Sequence, residues 1–137
     1  MFANATGSPS AILERAHPLM RGTRGAAVSI AEINARTGTI TYAGAGNISG
    51  RLISGIEDRS LMSQHGTLGV QIRRLQDIGY PWPDHSLVVL HSDGLTAQWD
   101  PGTYPGLLQR HPAVIAGVIY RDFFRPRDDA TIVENTR

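Results

Sequence analysis

The 137 residues contain no cysteine and no lysine. Without cysteine there is no disulfide, no thiolate nucleophile and no cysteine-ligated zinc. All 13 basic side chains are therefore arginine, which excludes a phosphate-loop lysine, a Schiff-base lysine and a lysine base. The formal net charge is only +1 and the arginines form no long run, so nucleic acid is not expected as an obligatory partner. Met1-Phe2-Ala3-Asn4 has neither the basic start nor the apolar stretch of a signal peptide. No apolar run approaches the roughly 20 residues that a membrane-spanning helix needs. A soluble, cytoplasmic chain with no membrane partner is the expectation. Repeats, low-complexity segments and interior linkers are also missing.

What is present is enough for one domain with a core: 41% of residues are hydrophobic. Ser8-Pro9 reads as an N-cap followed by a first helical residue, and Ala11, Ile12, Leu13, Ala16 and Leu19 give that helix an apolar face ending near Met20. Ala26 to Ile33 reads as a strand, Thr37-Gly38 as a turn, and Thr39 to Ala43 as the hairpin partner. Ile48 to Ile53 is a third strand and Leu61 to His65 a fourth, with Gly55 to Ser60 a polar loop between them. Val70 to Ile78 reads as a short helix or an irregular linker. Tyr80-Pro81-Trp82-Pro83 excludes a regular helix or a central strand. Leu87 to Leu90 is a continuous apolar run, the mark of a strand covered on both faces. Leu95 to Trp99 suggests one helical turn. His111-Pro112 starts a stronger helix in which Ile115, Ile119 and Phe123 recur every four residues, and Ala130 to Val133 forms a last strand. Helix, antiparallel strands, helix and strand make an α+β order, with the double-covered strand pointing to a layered sandwich.

Most chemical motifs resolve into structural ones. Gly44-Ala45-Gly46-Asn47-Ile48-Ser49-Gly50 has the wrong spacing for a dinucleotide fingerprint and leads into a strand, so it reads as a turn. It is not a nucleophile elbow either. His91, Ser92 and Asp93 are adjacent, and a strand sends neighbours to opposite faces, so they make no triad. His17, His65, His85 and His111 lack paired metal-ligand spacing and read as surface, cap or loop residues. Tyr80, Trp82 and Trp99 offer either an aromatic binding surface or, preferably, buried packing. The remaining candidates are acids. Asp93 and Gly94 end the apolar strand; Asp128 and Asp129 precede the last one. If those strands pair antiparallel, the carboxylates meet at one end of a sheet, as a hard-cation site requires.

Ser92-Asp93-Gly94-Leu95-Thr96 with Trp99-Asp100, followed by Arg127-Asp128-Asp129-Ala130-Thr131-Ile132-Val133, resembles the metal-dependent serine/threonine protein phosphatases of the type-2C class, in their SpoIIE-like branch. Arg24-Gly25-Ala26-Ala27, Gly44-Ala45-Gly46-Asn47-Ile48 and His65-Gly66-Thr67-Leu68-Gly69 add to the resemblance, which runs from about Ser8 to Val133. It implies part of a layered α-β-β-α sandwich of antiparallel sheets flanked by helices. It also implies two Mn²⁺ or Mg²⁺ ions that activate water for in-line attack on phosphorus. By motif matching, Asp93 and Asp128 are similar to metal ligands, with Gly94 and Asp129 as possible additional or supporting groups; no catalytic base is implied. The implied substrate is a phosphorylated regulatory protein of the anti-sigma-factor antagonist type.

The family's earlier Asp-Gly motif, whose aspartate bridges both ions, has no counterpart before Ser8; the only acids before Arg51 are Glu14 and Glu32. Residues 1–137 are therefore expected to be the C-terminal portion of such a domain, lacking the N-terminal metal-binding motif. Such a portion is expected to hold at most one ion weakly, to be inactive as an isolated chain, and to pair with further copies through open sheet edges. A non-catalytic module that docks a partner through such an edge or through the Tyr80–Trp82 loop is the alternative. A metal-stabilised structural domain is a third reading.

Overall fold

The structure is a computed structural model that describes residues 7–55, 57–96, 99–126 and 129–137. In chain order its regular elements are α1 (Pro9–Leu19), β1 (Val28–Asn34), β2 (Thr39–Ala45), β3 (Ile48–Ile53), β4 (Asp58–Leu61), β5 (Gly66–Thr67), β6 (Gln71–Ile72), β7 (Ile78–Pro81), β8 (Leu87–Ser92), α2 (Pro112–Phe123) and β9 (Ile132–Thr136). Two 3-10 turns, Pro101–Thr103 and Leu107–Gln109, precede α2. The fold is α+β, and the β1–β2, β2–β7, β3–β4, β5–β6 and β8–β9 pairs are all antiparallel. No helix among the described residues is long and apolar enough to cross a membrane.

The chain divides into two compact units, one from residues up to 48 together with 62–83, the other from 49–61 and 84–137. In the first, α1 starts where Ser8 turns extended and its hydroxyl accepts the Ala11 N–H at 3.3 Å, satisfying one of the helix's orphan donors. The sheet order is β1-β2-β7, so Pro81 ends an edge strand, where a missing N–H costs no ladder bond. The β1–β2 hairpin registers Val28 on Ala45 and Asn34 on Thr39. Its turn is closed by Asn34, whose side-chain oxygen accepts from Arg36 and Thr37. Leu13 of α1 packs with Ala43, Ala45, Leu68 and Leu75 as the core of this unit.

The second unit is a sheet of order β4-β3-β8-β9 with α2 packed on β9. Pro112 occupies the first helical position, and His111 caps the helix by accepting the Ala113 N–H at 3.1 Å on Nδ1. The four-residue recurrence puts Ile115 and Ile119 on the buried face, where they meet Ile53, Leu87, Val89, Leu95, Trp99 and Leu107. Val88 and Val89 point to opposite faces of β8 and are 4% and 0% exposed, which is the double cover expected of that run.

Two expected strands are shifted, and the stretch left between a helix and an irregular linker takes the second form. The fourth strand is Asp58–Leu61, earlier than Leu61–His65, because its backbone pairs with β3 while Asp58, Arg59 and Ser60 stay in solvent and only Leu61 is buried. Val70 to Ile78 is not helical. It holds the two-residue strand β6 and an irregular stretch tied by side chains, with Leu75 N–H donating to Glu14 and Gln76 N–H to Gln64. The last strand runs Ile132–Thr136 rather than Ala130–Val133.

Candidate functional site

The site begins where β8 stops. Ser92 N–H donates to the Thr131 carbonyl at 3.0 Å, and Ser92 Oγ accepts the Thr131 N–H at 2.9 Å. This two-way clasp continues the β8–β9 ladder, whose register places Leu87 opposite Thr136 and His91 opposite Ile132. Immediately beyond, Leu95 N–H returns to the Ser92 carbonyl at 3.3 Å, so Asp93 and Gly94 occupy the middle of a tight turn. Asp93 is exposed. The Gly94 carbonyl accepts the Arg125 N–H at 2.7 Å, and Leu95 and Phe124 form a bridge. A Cβ on Gly94 would lie 2.1 Å from the Asp129 carbonyl oxygen. Glycine is needed there because two backbones touch.

The sequence-predicted acids therefore fare differently. Asp93 and Asp129 lie at the same end of the β8–β9 pair, and both are exposed. Asp128 lies outside the described residues. The Gly94 oxygen already accepts one backbone bond. Among the described residues no three His, Asp or Glu side chains form a group able to hold a metal ion, so the described donors do not fit a closed two-ion centre.

Behind Asp93 is a cluster that the sequence did not disclose. His91 is 2% exposed, and its Nε2 accepts the Trp99 Nε1–H at 3.3 Å. Indole can only donate, so the imidazole proton sits on Nδ1 and is given to the Ser92 carbonyl at 2.9 Å. Burial holds the His91 pKa below its usual value; the Ser92 bond opposes that shift and the Arg51 charge adds to it. The Arg51 guanidinium lies 3.9 Å from the Trp99 ring centroid, donates to the Trp99 carbonyl, and pairs with Asp58. His91 is thus a neutral structural residue that ties Trp99 to the end of β8, and Arg51 clamps Trp99 from β3. No local pattern marks Arg51, because its partners Asp58 and Trp99 are brought to it only by the fold.

The remaining histidines behave as caps or loops: His17 accepts the Gly69 N–H at 2.9 Å, and His65 and His85 are exposed. Tyr80 and Trp82 are 9% and 2% exposed, so that loop presents neither aromatic side chain to a partner.

Comparison with solved structures defines the class. The chain is similar to one from the bacterial stressosome, described as a modular system adapted to control secondary messenger signalling, with 25% identity, a TM-score of 0.80, and coverage of 97% of this chain and 68% of that one. It is similar to RsbX in complex with magnesium at 24% identity and TM-score 0.72, covering 90% of this chain and 62% of that one. The SiaA PP2C domain of Pseudomonas aeruginosa gives 22% identity and TM-score 0.70, covering 98% and 63%. The fold is that of PP2C-type phosphatases. The stage II sporulation protein E (SpoIIE) family profile matches residues 1–134, and the chain belongs to that family. No curated protein matches the sequence. The chain spans 62–68% of the length of these three solved chains.

Proposed function

We propose that residues 1–137 are part of a SpoIIE-type, metal-dependent serine/threonine phosphatase module, with Asp93 and Asp128 as its metal ligands and Asp129 and Gly94 beside them. The observation that carries the reading is the β8–β9 register, which brings the Asp93 turn and the Asp129 backbone into contact at one sheet end within a chain of this family. RsbX was solved with magnesium and a SpoIIE phosphatase domain after a manganese soak, which supports Mg²⁺ or Mn²⁺ as the ion. When bound, that ion would supply Lewis-acid activation at phosphorus. This chain's residues hold the turn in place: Ser92 clasps Thr131, and His91 and Arg51 fix Trp99 behind it. The proposed substrate is a phosphoserine or phosphothreonine on a regulatory protein of the anti-sigma-factor antagonist type, in the cytoplasm.

The bridging carboxylate of the family is not among these residues, whose one Asp-Gly is Asp93-Gly94. Two ligands without a bridge hold at most one ion, weakly, and the isolated chain turns over little or no substrate. Titration calorimetry with Mn²⁺ should show weak binding that disappears in Asp93→Asn and Asp128→Asn, and p-nitrophenyl phosphate turnover with Mn²⁺ should stay near background. Robust turnover lost in Asp93→Asn would overturn the inactivity. Absence of any Mn²⁺ binding would overturn the ligand roles and favour a non-catalytic protein-binding module.

A further inference from the structure

The turn that carries Asp93 is held by the end of α2 as well as by the start of β9. The Gly94 carbonyl accepts the Arg125 N–H at 2.7 Å, and the Thr96 N–H donates to the Phe123 carbonyl at 3.0 Å. These two bonds flank the Leu95–Phe124 bridge and make a short antiparallel ladder between the turn and residues 123–125. A displacement of that end of α2 is passed to Gly94 and Thr96 through backbone alone, with no flexible side chain to absorb it.

A side chain from another segment fixes the end of α2. The Tyr104 hydroxyl donates to Asp122 Oδ2 at 2.5 Å, and the Tyr104 ring meets Phe123 edge-on with centroids 6.4 Å apart. Both rings pack on the core that contains Leu95 and Trp99. Asp122 sits in the last turn of α2, where a carboxylate opposes the helix dipole. Hydrogen bonds from Arg121 and then Tyr104 hold its carboxyl down to about 2, so it accepts from both as an anion.

The segment leading to Tyr104 is itself anchored. Trp99 is tied to His91, and Asp100 caps the turn at 101–103 by accepting the Gly102 N–H at 2.8 Å. The Tyr104 N–H then returns to the Pro101 carbonyl at 3.1 Å. These contacts close a circuit within one compact unit. It runs from β8 through Trp99 to Tyr104, across to Asp122 and Phe123, and back to Gly94 and Thr96.

We propose that Tyr104 is a positioning residue for the Asp93 turn, acting through Asp122 and the last turn of α2. Its ring and its hydroxyl have separable parts in this: the ring packs on Phe123, while the hydroxyl ties the helix end to the 101–109 segment. The functional weight of the assignment rests on the proposed ligand role of Asp93.

The test compares the full chain with Tyr104→Phe, which keeps the ring and removes the hydroxyl. The amide cross-peaks of Asp93, Gly94 and Leu95 should shift in the variant. Exchange of the Thr96 and Arg125 amides should speed up roughly fivefold, the size of one hydrogen bond to a charged group near the surface, while the amides of the β8–β9 ladder keep their rates. In an Asp122→Ala background the same substitution should change nothing, because the bond is already gone. Unchanged exchange at Thr96 and Arg125 overturns the proposal, as does an equal effect in the Asp122→Ala background. A uniform rise across the β8–β9 ladder also overturns it, since the hydroxyl would then only stabilise the unit. Titration with Mn²⁺ separates this outcome from the ligand reading. Weaker Mn²⁺ binding in Tyr104→Phe supports the role of Tyr104, and equal binding overturns it. A parent chain that binds no Mn²⁺ overturns the ligand reading instead, and the exchange comparison alone then decides the role of Tyr104.

Discussion

At the residue scale, Gly94 is the position where identity and geometry are most tightly joined. The family match would be satisfied by an Asp-Gly pair in any turn, but here the glycine is required by contact: an added Cβ would overlap the Asp129 carbonyl and lie 2.7 Å from the Ala130 Cα. Neither neighbour is a flexible side-chain end, so Gly94→Ala must displace the segment before β9. We expect that substitution to destabilise the chain by about 1–3 kcal/mol, read as a lower urea midpoint. An unchanged midpoint would mean that residues 129–130 yield freely and do not fix the Asp93 turn. That Asp93 and Asp129 lie at one end of the β8–β9 pair was legible in the sequence, because the apolar run Leu87–Leu90 leads into one acid and the last strand follows the other. The His91–Trp99–Arg51 cluster was not legible, since its members come from three separated positions and only the fold makes them neighbours. In the sequence His91 stands out only as a poor triad member beside Ser92 and Asp93, and nothing there points to its contact with Trp99.

At the element scale, legibility followed the strength of local patterning. α1 and α2 were readable from cap, proline and apolar period together, and both start within a residue of the expected place. The α1 cap gives a direct check: Ser8→Ala should cost about 0.5–2 kcal/mol and lower the thermal midpoint, whereas Ser8→Asp should keep it, since Asp also caps well. If Ser8→Ala is neutral, the Ser8–Ala11 bond contributes nothing. β4 was missed because Asp58-Arg59-Ser60 carries no apolar alternation; it is a strand only through its pairing with β3. Residues 70–78 were ambiguous because Val70, Ile72, Leu75 and Ile78 match neither a period of two nor one of 3.6. Glu14 and Gln64, far away in sequence, satisfy the backbone there instead.

At the scale of the whole molecule, two buried titrating groups pull the pH dependence of stability in opposite directions. Glu134 has a folded pKa raised from 4.5 to about 7; its contribution is fully present below 4.5 and is lost as pH rises through about 7. His91 has a folded pKa lowered from 6.5; its contribution is present above 6.5 and is lost as pH falls through the lowered value. Glu134→Gln should therefore gain stability over the parent chain progressively between 4.5 and about 7 and hold a constant advantage above. Urea midpoints of both proteins across that range check this, and a pH-independent difference would show that the Glu134 carboxyl is not desolvated in solution.

The strand order β4-β3-β8-β9 also sets a timetable. β3 and β4 are adjacent in the chain and can close as a hairpin as soon as they are made, but the strand that covers β3, β8, begins at Leu87, 26 residues after β4 ends at Leu61. At about 5–20 residues per second of synthesis, the hairpin waits on the order of one to five seconds with its Leu52, Ile53 and Leu61 side chains uncovered. α2 and β9 arrive later still. The charged, short edge formed by Asp58, Arg59 and Ser60 is what a nascent hairpin needs during such a delay, because it discourages pairing with neighbouring chains. The residues that make β4 hard to see as a strand are the same ones that give its edge the charge that disfavours such pairing.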